Sequence, residues 1–402
     1  MNEEHSMKVC IFTRSIFKLG GTKRVITMIA NEMAKEHDVT LLTFDAPERE
    51  NRSMYGLQEN INVEFMDSTL YKDKKTSVGG LLRTGCKVFN NMTGIFDHGS
   101  GEFIKNIFYP KNVRKRYIEY FNAKDYDVII TTAGLIMLLA AIANDLKAKT
   151  VGWQHNCYDA YVNQKNTLFW NKKTFIRKYI PKLDRFVVLN HYDADEYKQK
   201  MNIDCEVIGN ARSFISDKKS DCTSKKFFVA ARFVEAKGLD LLMKSFALFC
   251  ETNKDWKLVI AGDGEDRLAV LDMAWRLGIQ SRIEFTGIIS NVKDYYLDSS
   301  VYLLSSKWEG WGLVVIEAFE MGIPVIAYDI VPVDVLITNG EDGYIVEQFR
   351  YTKFAAAMTK LANDEALRKQ MSQKAIKKAE QFSIENIYHL WHTMLADMEK
   401  EN

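Results

Sequence analysis

Two glutamates, Glu309 and Glu317, stand with seven residues between them in a segment rich in glycine. That segment, Ser305-Ser-Lys-Trp-Glu-Gly-Trp-Gly-Leu-Val-Val-Ile-Glu317 and onward to Ala327, follows the apolar run Val301-Tyr-Leu-Leu304. It reads as strand, glycine loop, helix. The first turn of a helix carries amides without intrahelical acceptors and the positive end of the helix dipole, so the start at Gly312 and Leu313 suits a phosphate. Glu317, about a turn further in, can accept hydrogen bonds from hydroxyls. Phosphate beside hydroxyls is the chemistry of a sugar nucleotide.

A second charged group stands in Ala231-Arg232-Phe-Val-Glu-Ala-Lys237-Gly238, a strand end running to the next helix start. Two cations at that place can neutralise a diphosphate leaving group. Taken alone, Arg232 and Lys237 are ordinary surface charges; beside Glu309, Glu317 and the loop Gly262-Asp-Gly264 they read as part of one site. His155 closes another strand within Gln154-His155-Asn156. A neutral imidazole at the C-terminal end of a parallel strand sits where α/β sheets bind ligands, although position alone fits a structural histidine equally well. Cys157 reads as packing, since no activating partner accompanies it. No His/Cys set has metal-ligand spacing, and Asp125-Tyr-Asp127 and Asp193-Ala-Asp195 lie outside the second half, so no metal or other cofactor is expected.

The elements that must position these residues alternate. Lys8–Thr13 is a β-rich run, Thr22–Lys35 has a helical stripe, and Asp38–Phe44 is a second strand, a βαβ unit with the right-handed parallel crossover as default. Strands recur at 63–66, 127–132, 150–155, 185–190 and 205–208. The alternation restarts near Lys225, with strands at 227–232, 257–262, 282–287, 301–305 and 324–328. Continued alternation of this kind specifies parallel sheets covered on both faces. The chain has 402 residues, 47% of them hydrophobic and 27% charged, too many for one ordinary core.

A net charge of +1 gives no whole-protein attraction to nucleic acid, and six scattered cysteines without a C-x-x-C spacing read as reduced cytosolic thiols. The N-terminus lacks a basic start followed by an apolar run, so no signal peptide is expected, and the apolar run 134–143 is about half of what a spanning helix needs. Residues 71–124 depart from the neutral background, with eleven Lys/Arg against four Asp/Glu, a net +7. Phe89, Phe96, Phe103, Phe108, Tyr109, Tyr117, Tyr120 and Phe121 are interleaved with these bases. Such a stretch can lie on an anionic membrane; the competing reading is a solvated insertion whose aromatics are core.

The ordered blocks Arg232…Lys237-Gly238, Gly262-Asp-Gly264, Phe285-Thr-Gly287 and Glu309…Glu317 resemble, in order and spacing, those of the family 4 retaining glycosyltransferases of the GT-B fold, bacterial surface-polysaccharide type. In the first half only Gly20-Gly21-Thr-Lys-Arg24 and Trp153-Gln-His155-Asn156 are specific. The resemblance implies an α/β fold of two Rossmann-like domains facing across a cleft. They would be an acceptor-binding domain over 1–210 and a donor-binding domain over 211–380, with a C-terminal helix, 381–402, packing back on the first.

It further implies a hexosyltransferase that moves a sugar from a nucleotide sugar, a UDP-sugar, to a lipid-linked or polysaccharide acceptor without metal. Arg232 and Lys237 would hold the diphosphate and the amides of Gly312 and Leu313 its distal phosphate. Glu317 would bind ribose, Glu309 the transferred sugar, the backbone near Ile288 the base, and Gly20 and Gly21 would let the first domain approach the donor. His155 would contact the donor sugar. The expected location is cytoplasmic, with peripheral contact to the inner face of the cell membrane through 71–124. Ile208-Gly-Asn-Ala211 replaces the family's frequent Ile-Pro-Asn-Gly, and 71–124 is longer and more basic than usual, so acceptor recognition does not carry over. Two rival readings are a sugar-nucleotide epimerase on the same fold and a non-catalytic glycan-binding partner subunit. A dinucleotide-binding dehydrogenase is disfavoured, because the first strand is not followed by G-x-G-x-x-G.

Overall fold

The computed structural model describes residues 6–67, 78–99, 101–165 and 167–401. The chain forms two compact units, one of Met1–Gly209 with Ile387–Asn402 and one of Asn210–Asn386.

The first unit is built on seven parallel strands: β1 (Lys8–Thr13), β2 (Asp38–Thr43), β3 (Asn62–Phe65), β4 (Val128–Thr132), β5 (Lys149–Trp153), β6 (Arg185–Val188) and β7 (Glu206–Val207). Their order across the sheet is β3-β2-β1-β4-β5-β6-β7. Cys10, Ile11 and Phe12 of β1 and Ile129 and Ile130 of β4 are fully buried, as strands covered by helices on both faces must be. β1 lies between β2 and β4, so the chain winds outward in opposite directions from that pair. The loops after β1 and β4 therefore flank the crevice in which open α/β sheets bind ligands.

The second unit has six parallel strands, β8 (Lys226–Ala230), β9 (Lys257–Ala261), β10 (Ile283–Gly287), β11 (Val301–Leu304), β12 (Val325–Tyr328) and β13 (Gly343–Val346), in the order β10-β9-β8-β11-β12-β13. Its reversal falls between β8 and β11. By the same topological rule, ligand-binding loops should follow β8 and β11, which are the loops carrying Arg232, Lys237 and Glu309.

The C-terminal helix Ile384–Lys400 is amphipathic, and most of its length is part of the first unit. Trp391 is fully buried with its ring 4.7 Å from that of Trp153, edge to face. Tyr388 donates to Glu36 at 2.9 Å, and Arg185 pairs with Glu401 at 2.6 Å.

In the basic stretch, residues 71–77 and 100 lie outside the described residues, and the rest forms helices Val78–Thr93, Gly101–Phe108 and Lys111–Lys124. The core reading is correct for six of its eight aromatics. Tyr117 and Phe121 are buried against Phe12 of β1, and Phe96, Phe108, Tyr109 and Tyr120 pack against the same core; Phe89 and Phe103 are exposed. Arg114 is also drawn inward, donating to Asn106 at 3.0 Å and to the Tyr109 carbonyl at 2.6 Å. An aromatic placed every third or fourth position of a helix follows the core face as readily as a lipid face, and composition does not separate the two.

Candidate active site

In the second unit the loops after β8 and β11 are fastened to each other. Ser305 Oγ donates to the Lys237 carbonyl at 2.8 Å, and the Lys307 amide donates to the Ala236 carbonyl at 2.8 Å. Gly238 permits this approach: at φ +58° it caps the helix Leu239–Thr252, and a Cβ there would sit 2.1 Å from the Ser305 carbonyl oxygen. The result is an ion pair between the two loops, Lys237 Nζ to Glu309 Oε1 at 2.6 Å. Ser306 Oγ donates to the same Oε1 at 2.6 Å. Among the described residues Oε2 has no hydrogen-bond donor, so one face of a largely buried carboxylate is left to accept from a hydroxyl.

Beside it, Gly312 at φ +89° starts the helix Leu313–Glu320 with no side-chain cap on the first-turn amides. Glu317 is buried within that helix and accepts from Tyr296 at 3.2 Å. Ala231, Lys237, Ser306, Glu309 and Val314 line one small recess where β8 and β11 end. Arg232 is exposed and forms no ion pair among the described residues. Ile288, just past β10, is 71% exposed. The structure thus brings together Lys237, Glu309, Gly312 and Leu313 about one strand end and leaves Arg232 and Ile288 at the surface.

Sequence reasoning missed Ser306, Tyr296 and Glu320. Ser306 adjoins a strand end, a position from which a hydroxyl reaches the next loop, and that signal was available. Tyr296 comes from a short helix with no motif about it. Glu320, 2% exposed, gathers Arg212 at 2.7 Å, Lys219 at 2.5 Å and the Ser216 amide at 2.9 Å, which ties the segment after Asn210 to the far end of the Gly312 helix. Trp311, buried, donates to the Asn210 carbonyl at 3.1 Å and fixes the same segment to the glycine loop.

In the first unit the loop after β1 is shaped by Asp45. Its carboxylate accepts from Ser15 Oγ at 2.7 Å, from the Ile16 amide at 2.7 Å and from the Phe17 amide at 3.1 Å. Burial alone would raise its pKa, but these hydrogen bonds outweigh burial and hold the carboxyl below the usual range. The Gly20 amide donates to the Tyr55 hydroxyl at 2.8 Å, and the helix Gly21–Met33 follows directly.

His155 stands two residues beyond β5. Its ring lies 4.3 Å from that of Trp153, and both ring nitrogens are buried without a hydrogen-bond partner among the described residues. Burial, with a further push from the charge of Lys23, lowers its pKa to about 3, so the ring is neutral at physiological pH. The loop is held from behind: Tyr197 donates to Gln154 at 2.6 Å, Gln154 donates to the Asn156 carbonyl at 2.8 Å, and the Tyr158 amide donates to Asp193 at 2.7 Å. Burial pushes the Cys157 thiol up to about 12, which agrees with a packing role.

Two family models match the chain, Glycosyltransferase Family 4 over residues 19–212 and Glycosyl transferases group 1 over residues 211–378. An uncharacterized glycosyltransferase of Haemophilus influenzae is 26% identical over 96% of this chain and 99% of its own. A Campylobacter jejuni α-1,4-N-acetyl-D-galactosaminyltransferase, named for its diNAcBac-PP-undecaprenol-linked substrate, is 25% identical over 94% of this chain and 96% of its own. Among solved structures, TarM superposes with a TM-score of 0.77 at 15% identity, covering 98% of this chain and 99% of that one. Anabaena Alr3699/HepE, solved in complex with UDP, gives 0.72 at 15% identity, covering 97% and 100%.

Proposed function

The chain belongs to the glycosyltransferases of the family 4 and group 1 type, with the paired Rossmann-like units of the GT-B fold, and from that premise we propose that it transfers a hexose from a UDP-sugar, with retention, to a lipid-linked or cell-surface polysaccharide acceptor. The observation that carries this reading is the Lys237–Glu309 pair set beside the uncapped helix start at Gly312. A cation and first-turn amides converge where a diphosphate would gather charge, and a carboxylate edge faces the place of the sugar. The UDP held by the HepE structure and the lipid-diphosphate-linked substrate named for the Campylobacter relative support the donor and the acceptor class.

In this account Lys237, Arg232 and the amides of Gly312 and Leu313 bind the diphosphate more tightly as its bond to the sugar breaks, which is the condition for catalysis. These residues take the part a metal plays elsewhere. Glu309 accepts from a sugar hydroxyl through Oε2 while Lys237 and Ser306 hold Oε1. Glu317, oriented by Tyr296, takes the ribose hydroxyls, and the backbone near Ile288 meets the base. Neutral His155 contacts the transferred sugar, and Gly21 gives the first unit's backbone access to the donor. The acceptor oxygen attacks the anomeric carbon on the face the leaving group departs from. Its proton passes to the departing phosphate oxygen, so retention needs no covalent enzyme intermediate. The first unit takes the acceptor at the inner face of the cell membrane, through the 71–124 region.

Labelled UDP-sugars incubated with the full chain, with and without an undecaprenyl-diphosphate-linked saccharide, test the reading. Acceptor-dependent transfer with retained anomeric configuration supports it. A new sugar nucleotide formed without acceptor identifies an epimerase instead, and no consumption of any donor discards an enzymatic role.

A further inference from the structure

The two loops that carry Lys237 and Glu309 also wall a second cavity. It has a volume of about 310 Å³ and lies between the starts of the helices Leu239–Thr252 and Arg267–Arg276, a size within the range of small-molecule sites. It shares no lining residue with the recess at the ends of β8 and β11. Lys307 directly follows Ser306, and Glu235 precedes Lys237 by two residues, so cavity and recess are built on the same two loops. Leu239, Val270 and Met273 give the cavity an apolar floor, the first two buried. Its polar groups are of both signs. Lys307 Nζ stands 3.5 Å from Asp240 and 3.9 Å from Glu235, whose side chain is 79% exposed. Asp266 is the N-cap of its helix but makes no capping hydrogen bond, and no donor reaches its carboxylate among the described residues. An N-cap aspartate ordinarily accepts from first-turn amides; here its oxygens stay free to accept from something else.

We infer that this cavity is a saccharide subsite. It takes a neutral pyranose whose CH face lies on the apolar floor while its hydroxyls donate to Asp266 and Asp240 and accept from Lys307. The mixture of groups selects the class. A phosphate or a uronate meets the like charge of Asp240 and Asp266, and an amine meets the Lys307 ammonium. Ionised carboxylates only accept and an ammonium only donates, whereas each sugar hydroxyl does both, so a polyhydroxyl ligand satisfies the whole rim. The floor favours a ring with an apolar face over an open polyol, because burying its CH groups removes apolar surface from water. The inference rests on the transferase reading only for the source of the ligand, a sugar unit of the polysaccharide acceptor beyond the reacting residue; the chemistry of the cavity stands without it.

The test is saturation-transfer NMR of the full chain titrated with maltose and with N,N′-diacetylchitobiose, at saturating UDP so that the donor recess is occupied. Wild type transfers saturation to the ring protons of at least one disaccharide. Ala269→Trp, which fills the cavity from an exposed helix position, and Asp266→Ala each weaken that binding roughly tenfold or more. Neither side chain is buried and Asp266 makes no capping bond, so both variants melt as wild type does, and donor hydrolysis without acceptor keeps its rate. Disaccharide binding by a chain that hydrolyses no donor upholds the subsite while the transfer reading falls. No saturation transfer to either disaccharide, or variants that bind as tightly as wild type, overturns the inference. So does variant-sensitive binding of spermidine without binding of either sugar, since that assigns the cavity to an amine.

Discussion

Lys237 Nζ lies 2.6 Å from Glu309 Oε1, and the two residues reach each other from the loops after β8 and β11, adjacent strands at the point where the second sheet reverses its order. A charge partner supplied by one loop is thus oriented by the other, and Ser306 completes the arrangement. Lys237→Ala removes the cation proposed to face the diphosphate and leaves a largely buried carboxylate with one hydroxyl donor. We expect turnover to fall by about 10²–10³-fold and stability by as much as ~3 kcal/mol. Adding Glu309→Gln to that variant restores most of the lost stability and none of the activity, which melting and steady-state kinetics on the four members of the cycle will show.

Gly238→Ala should be far more damaging than Gly278→Ala. Both glycines have positive φ, +58° and +70°, so each substitution bears a left-handed backbone cost of about 1 kcal/mol. A Cβ at 238 also meets the Ser305 carbonyl at 2.1 Å, whereas one at 278 meets nothing within 4 Å. Forcing the two loops apart should separate Lys237 from Glu309, so Gly238→Ala loses donor binding by calorimetry while Gly278→Ala retains it.

His155 sets a pH dependence of stability. Its pKa in the fold, about 3, is below the ordinary 6.5 of the unfolded chain, because burial and then Lys23 oppose the charged ring. The unfolded state therefore binds the proton first. Stability is complete above about 6.5 and falls as pH drops toward about 3, by up to ~1.4 kcal/mol per pH unit from this group. In His155→Gln the decline of melting temperature between neutral pH and roughly pH 4.5 should be shallower than in wild type. His37, also lowered by burial, titrates in both proteins and cancels in the comparison.

Much of this fold was legible in the sequence because parallel strands announce themselves as short apolar runs between helical stripes, and all the major strands of both units fell where those runs stand. The glycine loop at Gly312 was legible for a similar reason, since few sequences place glycine before an apolar helix at a strand end without a backbone cause. The pairing of Lys237 with Glu309 was not. Both had been assigned to ligand, and a contact between residues 72 positions apart depends on strand order, which alternation alone does not fix. The helix at 78–93, with Leu81, Leu82, Phe89 and Met92 exposed, was obscured likewise: its apolar stripe has the same period whether it faces the core or outward, and only the buried Asn90 distinguishes the two.

Trp391→Ala tests the attachment of the C-terminal helix. The indole is fully buried against Trp153, the residue two before His155, so truncation should cost about 3–5 kcal/mol. It should also loosen the His155 loop. Loss of the first unit's hydrogen-exchange protection around 149–158, with the second unit unaffected, is the expected signature.

The central claim, that the Gly312 helix and its loop form a nucleotide-sugar site, is tested most directly by UDP release from a UDP-sugar donor by Glu317→Ala beside wild type. Glu317 is buried, accepts from Tyr296 and sits one turn past the uncapped helix start at Gly312. The account predicts release abolished in a protein that still melts cooperatively, and release at the wild-type rate would contradict it.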